Sequence, residues 1–375
     1  MRISQYICAV GDGWSPALPT LDTEAQLLLC FGSERLFTSE NTQNHLKTAF
    51  PNAQIAGCTT AGEIFGTRVS NEQLVVTTVE FAHSHVQIQH VDIEPEQNSF
   101  NVGQKLAQKL AREQLKHVFV ISDGLKINGT ALVQGMSSKL GNEINITGGL
   151  AADGSRFKQT WVWHGDKHSS SIVVAVGLYG DKLQVSYGSF GGWDAFGPER
   201  EISRSQDNVL YELDGQPALW LYKKYLGQHA ENLPSSALLF PLGISRPNSD
   251  ELLVRTVLSV NEADGSMTFA GDIPQGAKVR LMKANPDRLI DGAQQAANLS
   301  KHEQSKLAIC VSCVGRKMVM HQRVEEEIEI IKEVLGEDCQ IAGFYSYGEI
   351  CPHGEEHEVL LHNQTMTITT LHEDH

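Results

Sequence analysis

The sequence predicts a mixed α/β fold in which two associated mixed-sheet domains are built from repeated β-α-β-β units. The first observation is a near-repeat: IAGCTTAGEIFG at residues 55–66 returns as IAGFYSYGEICP at residues 341–352. The second is a set of continuous apolar runs, such as VFVIS and LAICVSC, which are typical of strands buried on both faces of a sheet. Such self-similarity indicates one unit that was copied along the chain.

Three copies of the unit can be read, each with a strand, a helix, a glycine-containing strand and a further strand. The first copy comprises residues 27–31, 42–50, 54–64 and 74–81. The second comprises residues 117–122, 130–140, 145–153 and 172–178. The third and last comprises residues 307–313, 324–335, 340–350 and 365–371. The helices between the strands predict crossover connections.

The helices carry the spacing and end signals that this prediction requires. In residues 324–335, apolar side chains at positions 324, 328, 331 and 335 form one stripe, and glutamates at 325–327 suit the positive end of the helix dipole. Gly336 then ends the helix. Further helices are predicted over residues 102–115 and over residues 287–299, the latter capped by Asn285-Pro286.

Two β-rich stretches separate the units. Residues 183–213 contain several turn-forming glycines, and in residues 252–268 an Asp-Gly pair between two apolar runs predicts a hairpin. A predicted helix over residues 217–226 ends in a polar segment at residues 227–234. The sequence therefore predicts a boundary there, with one domain over residues 1–227 and another over residues 228–375.

Composition excludes several classes of function. A net charge of −15 argues against nucleic acid and anionic membrane as partners. No apolar run has the length of a signal peptide or a membrane span, so we expect a cytoplasmic protein whose seven cysteines are reduced and mostly buried. The G-x-S-x-G, phosphate-loop and H-E-x-x-H motifs are missing from the sequence, and we predict that the protein is not an enzyme.

The two Gly-Glu-Ile strings provide the candidates for a ligand pocket. Glu63 and Glu349 follow buried strands, at the sheet ends where α/β folds bind ligands, and Tyr347 lies in the same turn as Glu349. The alternative interpretation is that only the glycines matter, for tight turns or close packing, while the glutamates are solvated or cap the turn. A third interpretation is an enzyme that uses Glu63 or Glu349 as a general acid or base.

Histidines and cysteines give weaker indications of a metal site. Cys310 and Cys313 lie three apart in one strand and so point to opposite faces, which argues against a shared metal. Residues 351–357 contain a cysteine and two histidines on a predicted loop, for which a solvated polar loop is the alternative. His321 is predicted to lie just before a helix, whose N-terminus favours the neutral imidazole that a metal needs. The alternative is an exposed loop histidine.

Seven short strings, in this order, resemble the FIST family of bacterial sensory proteins. They are GCTTAGEI (57–64), SDGL (122–125), GGLAADG (148–154), LYELDGQPALWLYKKYLG (210–227), SCVGR (312–316), AGFYSYGEICP (342–352) and HNQT (362–365). The resemblance covers residues 27–371 and implies a FIST-N-like sensory domain over residues 1–227 and a FIST-C-like domain over residues 228–375. It also implies that the protein binds a small ligand in signal transduction.

The sequence resembles FIST domains that stand alone, without an output domain. In this respect it is similar to the nitric oxide sensing branch of the family. That resemblance implies a sensor that carries haem b and controls a histidine kinase or a cyclic-di-GMP enzyme (a diguanylate cyclase or phosphodiesterase). Because the sequence has no C-x-x-C-H motif, the haem would be non-covalent. His321 is then the predicted axial ligand, Arg316 the partner of a propionate, and His353 the second candidate ligand. The alternative function is a haem-free sensory protein for an amino acid or a similar metabolite.

Overall fold

The strands of this computed structural model form mixed sheets, and the mixed α/β architecture is as predicted. Residues 1–94, 98–141, 143–246, 249–353 and 358–374 are described, without the side chains of residues 249–251. The strands are β1 (Arg2–Ala9), β2 (Gly13–Ser15), β3 (Leu27–Gly32), β4 (Gln54–Thr59), β5 (Glu63–Phe65), β6 (Arg68–Ser70), β7 (Gln73–Glu80), β8 (His85–Asp92), β9 (Leu115–Ser122), β10 (Asn145–Leu150), β11 (Val162–His164), β12 (Lys167–Ser169), β13 (Ile172–Tyr179), β14 (Leu183–Phe190), β15 (Asp194–Gln206), β16 (Val209–Leu213), β17 (Gln216–Pro217), β18 (Leu242–Arg246), β19 (Ser249–Arg255), β20 (Val257–Asn261), β21 (Ser266–Phe269), β22 (Lys278–Lys283), β23 (Leu307–Cys313), β24 (Gln340–Ser346), β25 (Gly348–His353), β26 (Glu358–His362) and β27 (Met366–Glu373).

The helices begin at side-chain caps in several places. Ser39, Asn98, Asn128 and Asn285 each accept a hydrogen bond from a backbone N–H of the first turn that follows. The helices are α1 (Glu34–Phe37), α2 (Glu40–Ala49), α3 (Ser99–Leu110), α4 (Gly129–Leu140), α5 (Ala218–Leu226), α6 (Pro286–Ser300), α7 (Val314–Met320) and α8 (Glu326–Leu335), with 3₁₀ helices at Gly227–Asn232, Ser235–Leu239 and His321–Arg323.

Two predicted helices differ from the observed helices in where they begin or end. The helix predicted over residues 102–115 ends at Leu110, and Leu115 starts β9. The apolar spacing misled the prediction because Leu115 belongs to the next buried strand, which begins four residues after the helix cap at Ala111. Near the C-terminus, the short helix α7 was missed, and α8 starts at Glu326 instead of Val324.

Three sheets of related topology form the body of the protein. The first sheet has the order β12-β11-β4-β3-β7-β1-β2, the second β26-β25-β10-β9-β13-β8 and the third β6-β5-β24-β23-β27-β14. In each, two neighbouring strands are parallel (β3 with β4, β9 with β10, β23 with β24) and the others are antiparallel. The strand order around both copies of the repeated string is therefore the same, which agrees with the predicted duplication.

Each unit gives a hairpin to the sheet of another unit. The hairpin β5–β6 follows β4 of the first unit but pairs with β24 of the third sheet. In the same way β11–β12 pairs with β4 of the first sheet, and β25–β26 pairs with β10 of the second. Residues 54–64 were predicted as one element, and this is wrong: the chain leaves the first sheet after Thr59 and enters the third at Glu63.

One glycine in each unit makes this exchange possible. A Cβ at Gly57 would lie 1.8 Å from the carbonyl oxygen of Cys30, one at Gly148 would lie 1.9 Å from that of Val120, and one at Gly343 would lie 1.8 Å from that of Cys310. Each of the three contacts joins the second strand of a unit to the parallel strand beside it. The three units are thus equivalent at the level of single backbone atoms.

The inner faces of the three sheets share one apolar core. It contains side chains from all three units, among them Phe31, Phe119 and Phe344, and the rings of Phe31 and Phe344 lie 4.6 Å apart. The helices cover the outer faces. The interior is therefore closed, and space for a ligand is found at the ends of the sheets.

A β-rich segment separates β14, the edge strand of the third sheet, from α6. Its strands β15 to β22 form a separate sheet that packs with α5 around Leu210, Tyr222 and Phe269. We call it the inserted subdomain. Strands from both sides of residue 227 pair with one another in the second and third sheets, and the domain division at that residue stays a prediction.

Candidate functional site

A cleft lies where the inserted subdomain meets the third sheet, and we call it the glycine cleft. Its volume is about 360 Å³. It is lined by Ser189, Phe190, Gly191, Gly192, Trp193, Asp194, Ala195, Arg246, Leu252, Leu253, Val254, Met282, Arg288, His353, His362, Asn363 and Thr365. Polar and apolar residues line it in similar numbers, so it is more polar than a typical small-molecule site.

The glycine pair Gly191-Gly192 turns the chain from β14 into β15. Gly192 has a φ of +105°, and a Cβ there would lie 2.2 Å from the carbonyl oxygen of Arg288, so this position requires glycine. Gly191 differs, because the nearest atom to its Cβ position is 3.8 Å away. A methyl group at Gly191 would therefore make ordinary van der Waals contacts, and a larger side chain would compete with a ligand for the space of the cleft.

Two arginines and two histidines supply the polar part of the cleft. Arg288 pairs with Asp194 at 3.1 Å, and Arg246 pairs with Glu358 at 3.0 Å. The rings of His353 and His362 lie 5.3 Å apart. Burial, helped by the neighbouring His353, lowers the pKa of His362 to about 3, so this imidazole is neutral. The cleft thus offers cationic and imidazole groups to a ligand.

Behind the cleft wall, Arg316 forms a fully buried ion pair with Glu327 at 2.8 Å. The same guanidinium donates to the carbonyl oxygens of Gly191 and Leu289. Glu327 also accepts hydrogen bonds from Ser312 and from Tyr345, at 3.2 and 2.5 Å. The predicted contact of Arg316 with a haem propionate stays a prediction, and it would require the guanidinium to leave these partners.

His321 lies at the C-terminal end of α7, exposed to solvent, with a φ of +50°. It precedes α8, as predicted, but the unpredicted helix α7 ends directly before it, so His321 is the C-cap residue of α7 and begins the 3₁₀ helix that separates α7 from α8. Within the described residues, His321 lines neither the glycine cleft nor the second cleft described below. Its role as axial ligand remains untested, whereas His353 lies in the cleft wall.

The buried glutamates Glu63 and Glu349 hold the exchanged hairpins in place. Glu63 accepts hydrogen bonds from Thr60, from Ser70 and from the backbone N–H of Gln73. Glu349 accepts from Ser346 and, twice, from Thr365. Burial raises the pKa of both carboxyls, that of Glu349 to about 8. These bonds fit the interpretation in which the glutamates cap the turns, although burial excludes solvated side chains.

Tyr347 joins the third unit to the second. Its hydroxyl donates to Asp153 and its ring stacks on Phe157, with centroids 4.6 Å apart. Asp153 and Glu63 both line a second cleft of about 540 Å³ at the carboxyl ends of β3 and β4, which we call the threonine cleft because Thr38, Thr59 and Thr60 also line it. Of the three predicted pocket residues, Glu63 lines this cleft, whereas Tyr347 and Glu349 line neither of the two clefts.

All seven cysteines are free and buried. Cys351 lies within β25, so its predicted place on a loop is wrong, and His357 lies outside the described residues. Among the residues described, no group of three or more metal-ligating side chains is found. Within the same part of the chain, no helix is both long and apolar enough to cross a bilayer.

Sequence reasoning missed most of the glycine cleft. Gly191 and Gly192 were interpreted only as turn residues, and Arg246 and Arg288 carried no pattern that distinguishes them from surface residues. Asn363 lies in the HNQT string, which carried the family resemblance but was not interpreted as part of a site. The signal that was present is the pair of adjacent glycines at the end of an apolar strand, which often marks a close backbone approach.

Comparisons with known proteins cover most of the chain. The FIST N domain profile matches residues 26–216 and the FIST C domain profile matches residues 218–352. The chain is similar to the uncharacterized protein MJ1623 of Methanocaldococcus jannaschii, with 23% identity over 346 residues, and it spans 65% of that protein's length. Among solved structures, a cyanuric acid hydrolase from A. caulinodans aligns over 100% of this chain and 99% of its own, with 7% identity and a TM-score of 0.37, a likeness too low for inference.

Proposed function

Because this chain belongs to the FIST family, whose domains are sensory domains of signal transduction that bind small ligands, we propose that it senses a small ligand in the glycine cleft and regulates a separate signalling protein. The proposed partner is a histidine kinase or a cyclic-di-GMP enzyme. The observation that carries the proposal is the contact between the cleft wall and a buried charged network: Gly191 lines the cleft, and its carbonyl oxygen accepts a hydrogen bond from Arg316.

Through this contact, binding of a ligand in the cleft would change the structure at the outer face of the third unit. A ligand that displaces Gly191 changes the position of Arg316, whose ion pair holds Glu327 in the first turn of α8. Since α8 packs on the outside of the third sheet, two positions of this helix would present two surfaces to a partner.

The cleft suits an organic anion with an apolar body. Trp193, Leu252 and Met282 contribute apolar surface. Arg246 and Arg288, which pair with Glu358 and Asp194, would exchange these partners for the carboxylates of a ligand. An amino acid or similar metabolite meets this description. Haem b also meets it: His353 would provide the imidazole, Arg246 and Arg288 would face the propionates, and the iron would supply the site for nitric oxide.

We expect a haem titration of the purified protein to decide between these ligands. If haem is the ligand, a Soret band appears that shifts with nitric oxide, and His353→Ala weakens haem binding by tenfold or more because the iron loses its imidazole. His321→Ala tests the other predicted ligand, and His83→Ala, an exposed histidine, is the control.

Each outcome selects one assignment. Loss of the band in His321→Ala, with His353→Ala unchanged, would move the iron away from the glycine cleft. A protein that stays colourless after haem addition would contradict haem sensing and leave the haem-free metabolite as the ligand to be sought.

A further inference from the structure

Lys317 reaches from α7 of the third unit to the turn that follows β4 in the first. Its ammonium nitrogen donates to the carbonyl oxygen of Ala61 at 2.5 Å and to the side-chain oxygen of Asn71. The nitrogen also lies 5.5 Å from the ring centre of Tyr345. The amine is therefore fixed at the seam between two units.

That seam forms one wall of the threonine cleft. Ala61, Gly62, Glu63 and Asn71 line the cleft, and two of them are the hydrogen-bond partners of Lys317. A Cβ at Gly62 would lie 2.3 Å from the amine nitrogen, so the glycine of the first Gly-Glu-Ile string is what allows the lysine to come this close. Lys317 is not itself among the residues that line this cleft of about 540 Å³. Its amine lies just beyond Gly62, and a carbonyl compound in the cleft would reach it past this residue, which has no side chain.

The surroundings of this amine make it a better nucleophile than a surface lysine. Its hydrogen-bond acceptors are neutral, and the carboxylate that acts on it, Glu63, is already held by Thr60, Ser70 and Gln73. Burial therefore outweighs the attraction of Glu63 and lowers the pKa of Lys317 to about 8. The neutral amine is the reactive form, and at pH 7 about a tenth of the Lys317 side chains carry it, compared with less than about 0.1% for an unperturbed lysine.

We propose that the threonine cleft is a second ligand site, in which Lys317 binds a small aldehyde or α-oxo acid covalently as an imine. The amine nitrogen attacks the carbonyl carbon, and the carbonyl oxygen takes up the two amine protons and leaves as water. One C=N bond replaces one C=O bond, and no oxidant or reductant is needed. Arg35 and Arg156 line the cleft together with Glu34, Glu63, Glu72 and Asp153. Because Arg156 already pairs with Glu34 and Asp153, at 3.8 and 3.7 Å, Arg35 is the side chain assigned to the carboxylate of an oxo acid.

Reductive trapping tests this site on the intact protein. The protein is incubated with glyoxylate or pyruvate and sodium cyanoborohydride, and each modified lysine is identified by peptide mass spectrometry. We expect the adduct on Lys317 to form at least tenfold faster than on Lys139, an exposed lysine. The rate at Lys317 should level off above about pH 8.

Lys317→Arg is the matched variant, because arginine can keep both hydrogen bonds but cannot form the imine. It should retain the melting temperature of the native protein and lose the fast adduct. Trapping that is no faster at Lys317 than at Lys139 with both probes would overturn the proposal. So would a rate at Lys317 that continues to rise to pH 10, since the amine would then be an ordinary surface lysine.

Discussion

Replacing Arg316 by methionine is expected to lower the free energy of unfolding by about 3–5 kcal/mol. Both partners of the Arg316–Glu327 pair are fully buried, with side-chain exposures of 0%. The substitution leaves the Glu327 carboxylate without its cation in an apolar interior and also removes the donors to the carbonyl oxygens of Gly191 and Leu289. Urea denaturation followed by circular dichroism measures the loss.

A matched control lies seven residues further along the chain. Arg323 pairs with Glu326 at 2.8 Å, the same distance as in the buried pair, but both of its side chains are 42% exposed. Arg323→Met should therefore cost much less than Arg316→Met, because water screens the exposed pair. If the two methionine variants are equally stable, the buried pair does not stabilise the third unit, and the proposed path from Gly191 to α8 loses its central link.

Changing Gly57, Gly148 or Gly343 to alanine is expected to destabilise the protein by about 3 kcal/mol or more in each case. Each new methyl group would lie within 2 Å of a carbonyl oxygen on the parallel neighbour strand, at the distances given above. Neither backbone can move away without breaking the pairing of the two strands that form the centre of each sheet. Thermal or urea unfolding of the three variants measures the effect.

Gly191→Ala is the control for this set, because its Cβ has no neighbour closer than 3.8 Å. It should be neutral, or stabilising by less than about 1 kcal/mol. Equal losses at the three repeat glycines would agree with three equivalent units. A substitution tolerated at one of them would show that the equivalence of that unit does not extend to its strand contact.

The repeat could be recognised in the sequence because each copy is one continuous stretch of residues. The buried strands and most helices could be predicted, since apolar runs and a 3.6-residue period depend on neighbouring residues alone. The exchange of hairpins could not. Residues 54–64 have the same apolar pattern whether the strand continues or crosses to another sheet, and only the pairing of Glu63 with Phe344 reveals the crossing.

The candidate site was harder to predict for the same reason. Glu327 was interpreted as one of three carboxylates at a helix start, and the sequence does not show that it faces inward to pair with Arg316. The glycine cleft combines β14, the inserted subdomain and the β25–β26 hairpin, which are far apart along the chain. Of the predicted haem residues, His353 lies in the wall of this cleft, whereas Arg316 lies behind it.

The central claim is that the sensory ligand binds in the glycine cleft, and Gly191→Leu tests it most directly. Haem and a panel of carboxylate-bearing metabolites that lack an aldehyde or oxo group, and so cannot form an imine with Lys317, are screened by thermal shift. The ligands found are titrated calorimetrically into the native protein and into the Gly191→Ala and Gly191→Leu variants. Thr38→Leu, in the wall of the threonine cleft, is the control for the other site. We predict that Gly191→Leu keeps its melting temperature and binds these ligands at least tenfold more weakly, while the other two variants bind as the native protein does. Unchanged binding by Gly191→Leu, or weakened binding by Thr38→Leu alone, would contradict the claim.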